Sequence, residues 1–180
     1  GLVYDVDPDK YDKDTYKEYQ NDLFKWQIVN NIADLDMETG KYQAICGVAY
    51  RICYIEDGEE KVMNIKPWEI IPLEENGVMK YAIRYYKTYN AEGNEVIKID
   101  FYDDKFVTEY VYGYGTASNE TSLKVISKKE HLFKYCPVIS FENNEDHIGD
   151  FEKVMTLVEA YNRLVSDTQN EIEEFRQAYM

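Results

Sequence analysis

Apolar positions follow two different periods along this chain, and the changes between them divide it into three. From residue 14 to about residue 46 the spacing is near 3.6, the period of a helix with one buried face. Asp14 is placed to cap a first helix that runs to about Asn30. Its stripe is Tyr16, Tyr19, Leu23 and Trp26, widened by Phe24 and Ile28. A second helix is predicted from Leu35 to about Cys46 with Asp34 as its cap, although Gly40 lies inside it and weakens it. Gly1 to Lys13, broken by Pro8, reads as an extended segment.

Beyond Gly47 the period drops to two. Val48, Tyr50, Ile52 and Tyr54 alternate with Ala49, Arg51 and Cys53, which predicts a strand. Asp57-Gly58 supplies a tight turn, and Lys61 to Ile65 is the return strand. Pro67 and Pro72 bracket a turn and a short edge-like strand, ended by Glu74-Glu75-Asn76-Gly77. Three more strands follow with short turns between them. They carry Met79, Tyr81, Ile83, Tyr85 and Tyr89, then Ile97, Ile99 and Phe101, then Phe106, Tyr110, Tyr112 and Tyr114. Gly115 to Ser122 reads as a polar loop, with further strands at Leu123 to Ile126 and Val138 to Phe141. The fold class is α+β: two N-terminal helices, a central antiparallel meander and one long C-terminal helix.

That last helix is predicted from Asp150 to Tyr179. Phe151, Val154, Val158, Tyr161, Val165, Thr168, Ile172, Phe175 and Tyr179 recur in steps of three and four, a heptad seam. At 1.5 Å per residue it would be a rod of roughly 45 Å. Such a seam needs a partner along its whole length, so the partner is expected partly outside this chain. Gly1 and Met180 read as cut ends, and the sequence is expected to be a fragment of a longer protein.

Charge changes the picture next. The 180 residues hold 20 basic and 35 acidic side chains, a net charge of -15. Gripping nucleic-acid phosphates requires clustered Lys and Arg, so a general nucleic-acid-binding surface is disfavoured. A partner with a basic face, or a surface that must not stick to DNA, fits better. Eighteen tyrosines, most at alternate strand positions, predict sheet faces that are amphipathic and partly exposed. Cys46, Cys53 and Cys136 form no CxxC pair and read as buried or half-buried thiols. No apolar run approaches the roughly 18–20 residues of a membrane span, and neither a secretory leader nor membrane association is expected.

Candidate chemistry is thin. No phosphate-binding glycine loop or serine elbow is present. Cys136 with His131 is a conceivable nucleophile pair, and carboxylate pairs can be imagined among so many acids, but no spacing singles either out. Glu142, Glu145 and Asp146, with Asn143 and Asn144, could offer oxygen to a cation but lack the spacing of a calcium loop; capping and solvation at the start of the long helix is the simpler reading. No catalytic, metal or cofactor site is expected.

One run is more specific than these. It begins Pro137-Val138-Ile139-Ser140-Phe141-Glu142-Asn143-Asn144-Glu145 and continues Gly149-Asp150-Phe151-Glu152-Lys153-Val154. Leu157-Val158-Glu159-Ala160-Tyr161-Asn162, Ser166-Asp167, and Glu173-Glu174-Phe175 through Ala178-Tyr179 follow. This run resembles the portal protein family of tailed bacteriophages, in the branch typified by a Bacillus siphophage. Upstream, Ile45-Cys46-Gly47-Val48-Ala49-Tyr50, Ile65-Lys66-Pro67-Trp68-Glu69 and Ala82-Ile83-Arg84-Tyr85-Tyr86 are similar to further family segments. Val158-Glu159, Cys46 and Asn64 to Lys66 depart mildly from the family pattern.

The resemblance implies a structural subunit without catalysis or cofactor. Such subunits form rings, usually of twelve, at one capsid vertex, and double-stranded DNA passes through the channel without sequence-specific binding. The large terminase subunit, head-completion adaptors, capsid and scaffolding proteins are the implied partners. The virion is the implied location, with the host cytoplasm during assembly. Residues 1–146 would be wing-like and residues 147–180 the first stem helix, with clip, second stem helix and crown absent. Asn143, Asn144, Glu145, Gly149, Asp150, Phe151, Glu152, Tyr161, Asn162, Ser166, Asp167, Ile172, Phe175 and Tyr179 would be the motif and interface residues. Stem acids such as Glu171 or Glu173 would meet the channel if they face it. The rival reading from the residues alone is an acidic α+β interaction module that uses the long helix as a coiled-coil handle.

Overall fold

The computed structural model describes residues 13–114 and 121–179. The chain is α+β, as expected. Helices α1 (Lys13–Val29) and α2 (Ile32–Cys46) come first. Eight strands follow: β1 (Val48–Glu56), β2 (Glu59–Ile65), β3 (Ile70–Glu75), β4 (Val78–Tyr89), β5 (Glu95–Tyr102), β6 (Phe106–Tyr114), β7 (Thr121–Glu130) and β8 (Val138–Glu142). The chain ends in α3 (Met155–Ala178). Among the described residues, no helix is long and apolar enough to cross a membrane.

The strands form two sheets, not one. Sheet A has the order β2-β1-β8, and sheet B is the meander β3-β4-β5-β6-β7. Every pairing is antiparallel. The split occurs at Pro67. A 3-10 turn over Pro67–Glu69 carries the chain off sheet A after Ile65, and Ile70 begins sheet B. Trp68 of that turn meets Tyr42 of α2 edge to face, with ring centroids 5.8 Å apart. After Pro137 the chain returns to sheet A, where β8 pairs with the free side of β1.

The core lies between the sheets. Tyr50, Ile52, Ile65 and Val138 from sheet A meet Ile70, Ala82 and Tyr102 from sheet B, with Cys136 beside them. The opposite face of β1 is also covered, because α2 packs on it. Arg51, at an alternate position of β1, is therefore buried. Its guanidinium donates to Asn64 Oδ1 at 3.0 Å, Asp36 Oδ1 at 2.9 Å and Thr39 Oγ1 at 2.9 Å, and it lies over the Phe141 ring. A buried cation is tolerable only when satisfied in this way. The network ties α2 to sheet A.

Several boundaries move. Lys13 is already helical, so Asp14 lies inside α1. The helix α2 starts three residues early, from Asn31 in a left-handed conformation. Asn31 donates its side-chain amide to the Asp34 carboxylate, leaving Asp34 in the first turn rather than at the cap. Strand β7 is longer than Leu123 to Ile126 because it pairs with β6 along its length, with a register shift that leaves Ile126 without a partner. Of the expected extended segment Gly1 to Lys13, residues 1–12 lie outside the described residues; of the expected loop Gly115 to Ser122, residues 115–120 lie outside them and Thr121 and Ser122 belong to β7. The stripe on α1 is only half covered: Leu23 and Trp26 are partly buried, while Tyr19, Phe24 and Ile28 are exposed. Trp26 Nε1 donates to Glu60 O and Asn30 Oδ1 accepts from Val62 N, so α1 closes the outer edge of β2.

Candidate functional site: the joint and the long helix

Helix α2 leaves its last carbonyls without intrahelical donors, as every helix does. Gly47 ends it in the left-handed region, φ 78°, and donates its N–H to Gln43 O. Two further carbonyls at this end are met by a segment about a hundred residues later, the turn from β8 into α3. Asp150 N donates to Ala44 O at 2.8 Å, and Asn143 N donates to Gly47 O at 2.9 Å. Gln43 Nε2 donates back to Glu142 O at 3.1 Å.

The turn is held internally by its two asparagines. Asn143 Nδ2 donates to Ile148 O at 3.2 Å and to Asp150 Oδ1 at 2.8 Å. Asn144 Nδ2 donates to Ile148 O at 2.7 Å, and its Oδ1 accepts from the N–H groups of Asp146 and Ile148. With these bonds made, His147 takes φ 54°. Asn144 thus spends its amide on the backbone, the behaviour that makes Asn a turn residue.

Two glycines lock this joint. A Cβ on Gly47 would sit 2.0 Å from His147 O, and one on Gly149 would sit 2.5 Å from Ile45 O. Only glycine lets the end of α2 and the turn approach so closely. Gly149 stood out in the sequence as part of the family-like run. The roles of Gln43, Ala44 and Gly47 did not, because their partners are remote; a glycine directly after a helical pattern was the available signal.

The tether also moves the start of the long helix. Asp150 and Phe151 are not helical, and a 3-10 turn over Glu152–Val154 leads into α3 at Met155. With Asp150 N bound to Ala44 O, the chain is aimed by α2 before the helix can begin. The 24 residues of α3 span roughly 36 Å instead of the expected 45 Å. Every residue from Asp150 to Tyr179 is exposed. The seam is bare: Tyr161 is 65% exposed, Phe175 66% and Tyr179 89%. Ile172, Val158 and Val165 are exposed with them, and Leu157 and Leu164 widen the stripe. Asn162, Ser166, Asp167 and Glu174 lie away from the stripe by helical spacing, whereas Glu171 borders it one turn before Phe175.

Among the predicted site residues, the structure gathers Asn143, Asn144, Gly149 and Asp150 into the joint. Glu145 and Phe151 are exposed beside it, and Glu152 begins the 3-10 turn. The others are strung along α3. Among the described residues no cluster of three or more His, Cys, Asp or Glu side chains is arranged to hold a metal ion.

The conceivable nucleophile pair is not assembled. His131 Nδ1 accepts from Phe133 N at 3.2 Å, which places its proton on Nε2, 3.0 Å from Asp103 O. Both ring nitrogens are occupied by backbone. Cys136 is buried, and burial pushes its thiol up, away from the reactive thiolate. A cleft of about 270 Å³ between the sheets is lined by Asp100, Tyr102, Glu109, Lys129, Glu130 and His131 together with mostly apolar residues. Burial raises the Asp100 carboxyl, which the cross-strand charge of Arg84 and a bond from Tyr102 partly offset.

Comparison with known proteins gives one consistent result. Residues 4–180 match the family described as "Phage portal protein, SPP1 Gp6-like". The portal protein of Bacillus phage SPP1 is 25% identical over 178 residues, covering 92% of this chain and 35% of that protein. The portal protein of Clostridium phage phiCD119 is 23% identical over an alignment of 193 residues, covering 98% of this chain and 41% of that protein. The chain thus spans between a third and about two-fifths of the length of these relatives. With the match running across both sheets, the joint and the long helix, the chain belongs to the SPP1 Gp6-like family of phage portal proteins.

Proposed function

We propose that this chain is the wing-like body and first stem helix of a portal ring subunit. In this reading residues 1–146 form the wing and residues 147–180 the stem segment, and equivalent helices of neighbouring subunits cover the seam. The observation that carries it is the bare heptad face of α3, aimed outward from a joint whose polar groups are tied together. A helix this exposed gains little stability alone; packing on neighbours is what makes an amphipathic helix worthwhile. The full-length ring, of about twelve subunits by family resemblance, would stand at a capsid vertex of the virion after assembly in the host cytoplasm. Its channel would pass double-stranded DNA for packaging and ejection.

Charge supports a sliding contact with DNA. The net charge of -15 and the scarcity of basic residues on α3 favour passage over gripping. The acids away from the seam, Asp167 and Glu174 among them, are the candidates to face the channel, with Glu173 further round the helix; Glu171, beside the apolar stripe, is better placed for a helix–helix contact. Terminase, head-completion adaptors, capsid and scaffolding proteins would dock on the assembled ring. Catalysis would reside in the terminase, consistent with the backbone-bound His131 and the buried Cys136 here.

The test is the size and shape of the full-length protein. Electron microscopy and light scattering are expected to show closed rings with a central channel. Monomers or dimers at every concentration would overturn the proposal and favour a coiled-coil interaction module.

A further inference from the structure

Most of this chain is acidic, but two stretches are not: β4, whose Lys80 and Lys87 are paired with Glu75 and Glu95, and the segment that includes β7. Residues 121–135 carry Lys124, Lys128, Lys129 and Lys134 against Glu130 alone. Three of these lysines lie on β7, the edge strand of sheet B. Lys124, Lys128 and Lys129 are exposed, and among the described residues none of them lies within ion-pair distance of a carboxylate. Lysine on an edge strand often serves only to discourage pairing with another chain. That role does not explain the neighbours of these lysines. Leu123, Val125 and Ile126 are 54%, 61% and 53% exposed on the same strand. Val125 and Leu123 extend cross-strand rows that contain Tyr110 and Tyr112, so the apolar surface continues from the outer face of sheet B onto the edge.

We infer that the β7 edge is one half of a head-to-tail contact between neighbouring copies, and that it receives the acidic joint of the next copy. This rests on the ring reading above. Two different patches meeting head to tail are what a closed ring requires. The joint is the complementary surface: Glu142, Glu145, Asp146, Asp150 and Glu152 are all exposed within eleven residues, with Ile139 and Phe151 exposed beside them. Lysines meet carboxylates, and apolar side chains meet apolar side chains. DNA fits this edge less well, because a phosphate backbone offers nothing to three exposed apolar residues. Contact between the joint and a neighbour's sheet would also link the aim of each stem helix to the packing of the wings.

Zero-length carbodiimide cross-linking of assembled full-length protein, read by mass spectrometry, tests the contact directly. Cross-links from Lys124, Lys128 or Lys129 to Glu145, Asp146 or Glu152 are expected between copies. Links from those lysines only to other surfaces would overturn the assignment. A charge swap gives an independent reading. The triple variant Lys124→Glu, Lys128→Glu, Lys129→Glu should lower the assembled fraction about tenfold at low salt, and adding Glu145→Lys, Asp146→Lys and Glu152→Lys should restore most of it. The milder Lys→Gln triple, checked for an unchanged melting curve, should lose assembly in the same direction. Intact rings from both lysine triples, or no recovery in the swapped protein, would overturn this contact while leaving the ring. Failure of the unaltered protein to form rings would overturn the proposed function instead.

Discussion

The joint and the helix it launches are adjacent in sequence and opposite in character. From Glu142 to Asp150, backbone and asparagine groups are bonded to one another or to α2, and a single added Cβ at Gly149 has no room. From Met155 to Ala178 every side chain is exposed, and the apolar stripe touches nothing that would hold it. The difference separates two kinds of family-like residue. Asn143, Asn144 and Gly149 are explained inside one chain, by geometry. Tyr161, Ile172 and Phe175 are not: they stand exposed, and the proposed ring would give them a neighbour. A motif that spans both regions therefore reports a folding requirement at one end and, on the proposed reading, an assembly requirement at the other.

The comparison is broken most directly at the glycines. Gly149→Ala places a methyl 2.5 Å from Ile45 O and 2.9 Å from Ala44 O, both backbone atoms that cannot step aside. Gly47→Ala adds the strain of a positive φ to a clash with His147 O. Each is expected to destabilise the chain by about 3 kcal/mol, at the upper end of overpacking costs. For a chain of this size that is a fall in Tm of roughly 6–12 °C, visible by circular dichroism. An unchanged Tm for both would mean that the joint does not hold the turn against α2.

Asn144→Ala is the next step down. It removes one donated and two accepted hydrogen bonds from the turn. Because Asn144 is exposed, water replaces part of what is lost, and about 1–2 kcal/mol is expected from urea denaturation. Hydrogen exchange should quicken at Asp146 and Ile148 before it changes in sheet B, which separates loosening of the turn from global unfolding.

The sequence pattern disclosed the parts of this molecule that depend on near neighbours. The alternation from Val48 to Tyr54 located β1, and Asp57-Gly58 located the turn after it, with φ 54° and 81° at the two residues. Gly40 weakened the expectation for α2, yet the helix runs through it because the packing of Thr39 and Tyr42 decides the matter. The pattern could not disclose what depends on remote partners. Arg51 alternates with the apolar residues of β1, and nothing local says that α2 covers it. The two sheets read as one meander, since a Pro-Trp-Glu turn does not announce that the chain is changing layers. The start of α3 was misplaced because no local signal says that Asp150 N is bound to Ala44 O. The seam was legible in the spacing alone, since it needs nothing from the rest of the chain.

Gly40→Ala sharpens the contrast from the other side. Nothing lies within 4 Å of a Cβ placed there, in the interior of a helix. The substitution should stabilise by about 0.5–1 kcal/mol, mainly by restricting the unfolded chain. A glycine that tolerates alanine in α2, seven residues before one that does not, would locate the constraint in the joint and not in the helix.

The smallest effect on stability is expected where the apolar side chains are largest. Ile172→Ser and Phe175→Ser, alone or together, should change the stability of this chain by no more than about 0.5 kcal/mol, because both residues already stand in solvent. In the full-length protein the same pair should reduce ring formation, since each deletes part of the face that the proposed ring would cover. The combination of the two measurements is decisive. A large loss of stability in the chain itself would show that the seam folds back on its own subunit, and the division between a self-sufficient joint and an unsatisfied helix would fall. Unchanged stability with unchanged rings would leave the heptad spacing without a partner and move the assembly surface back to the wing.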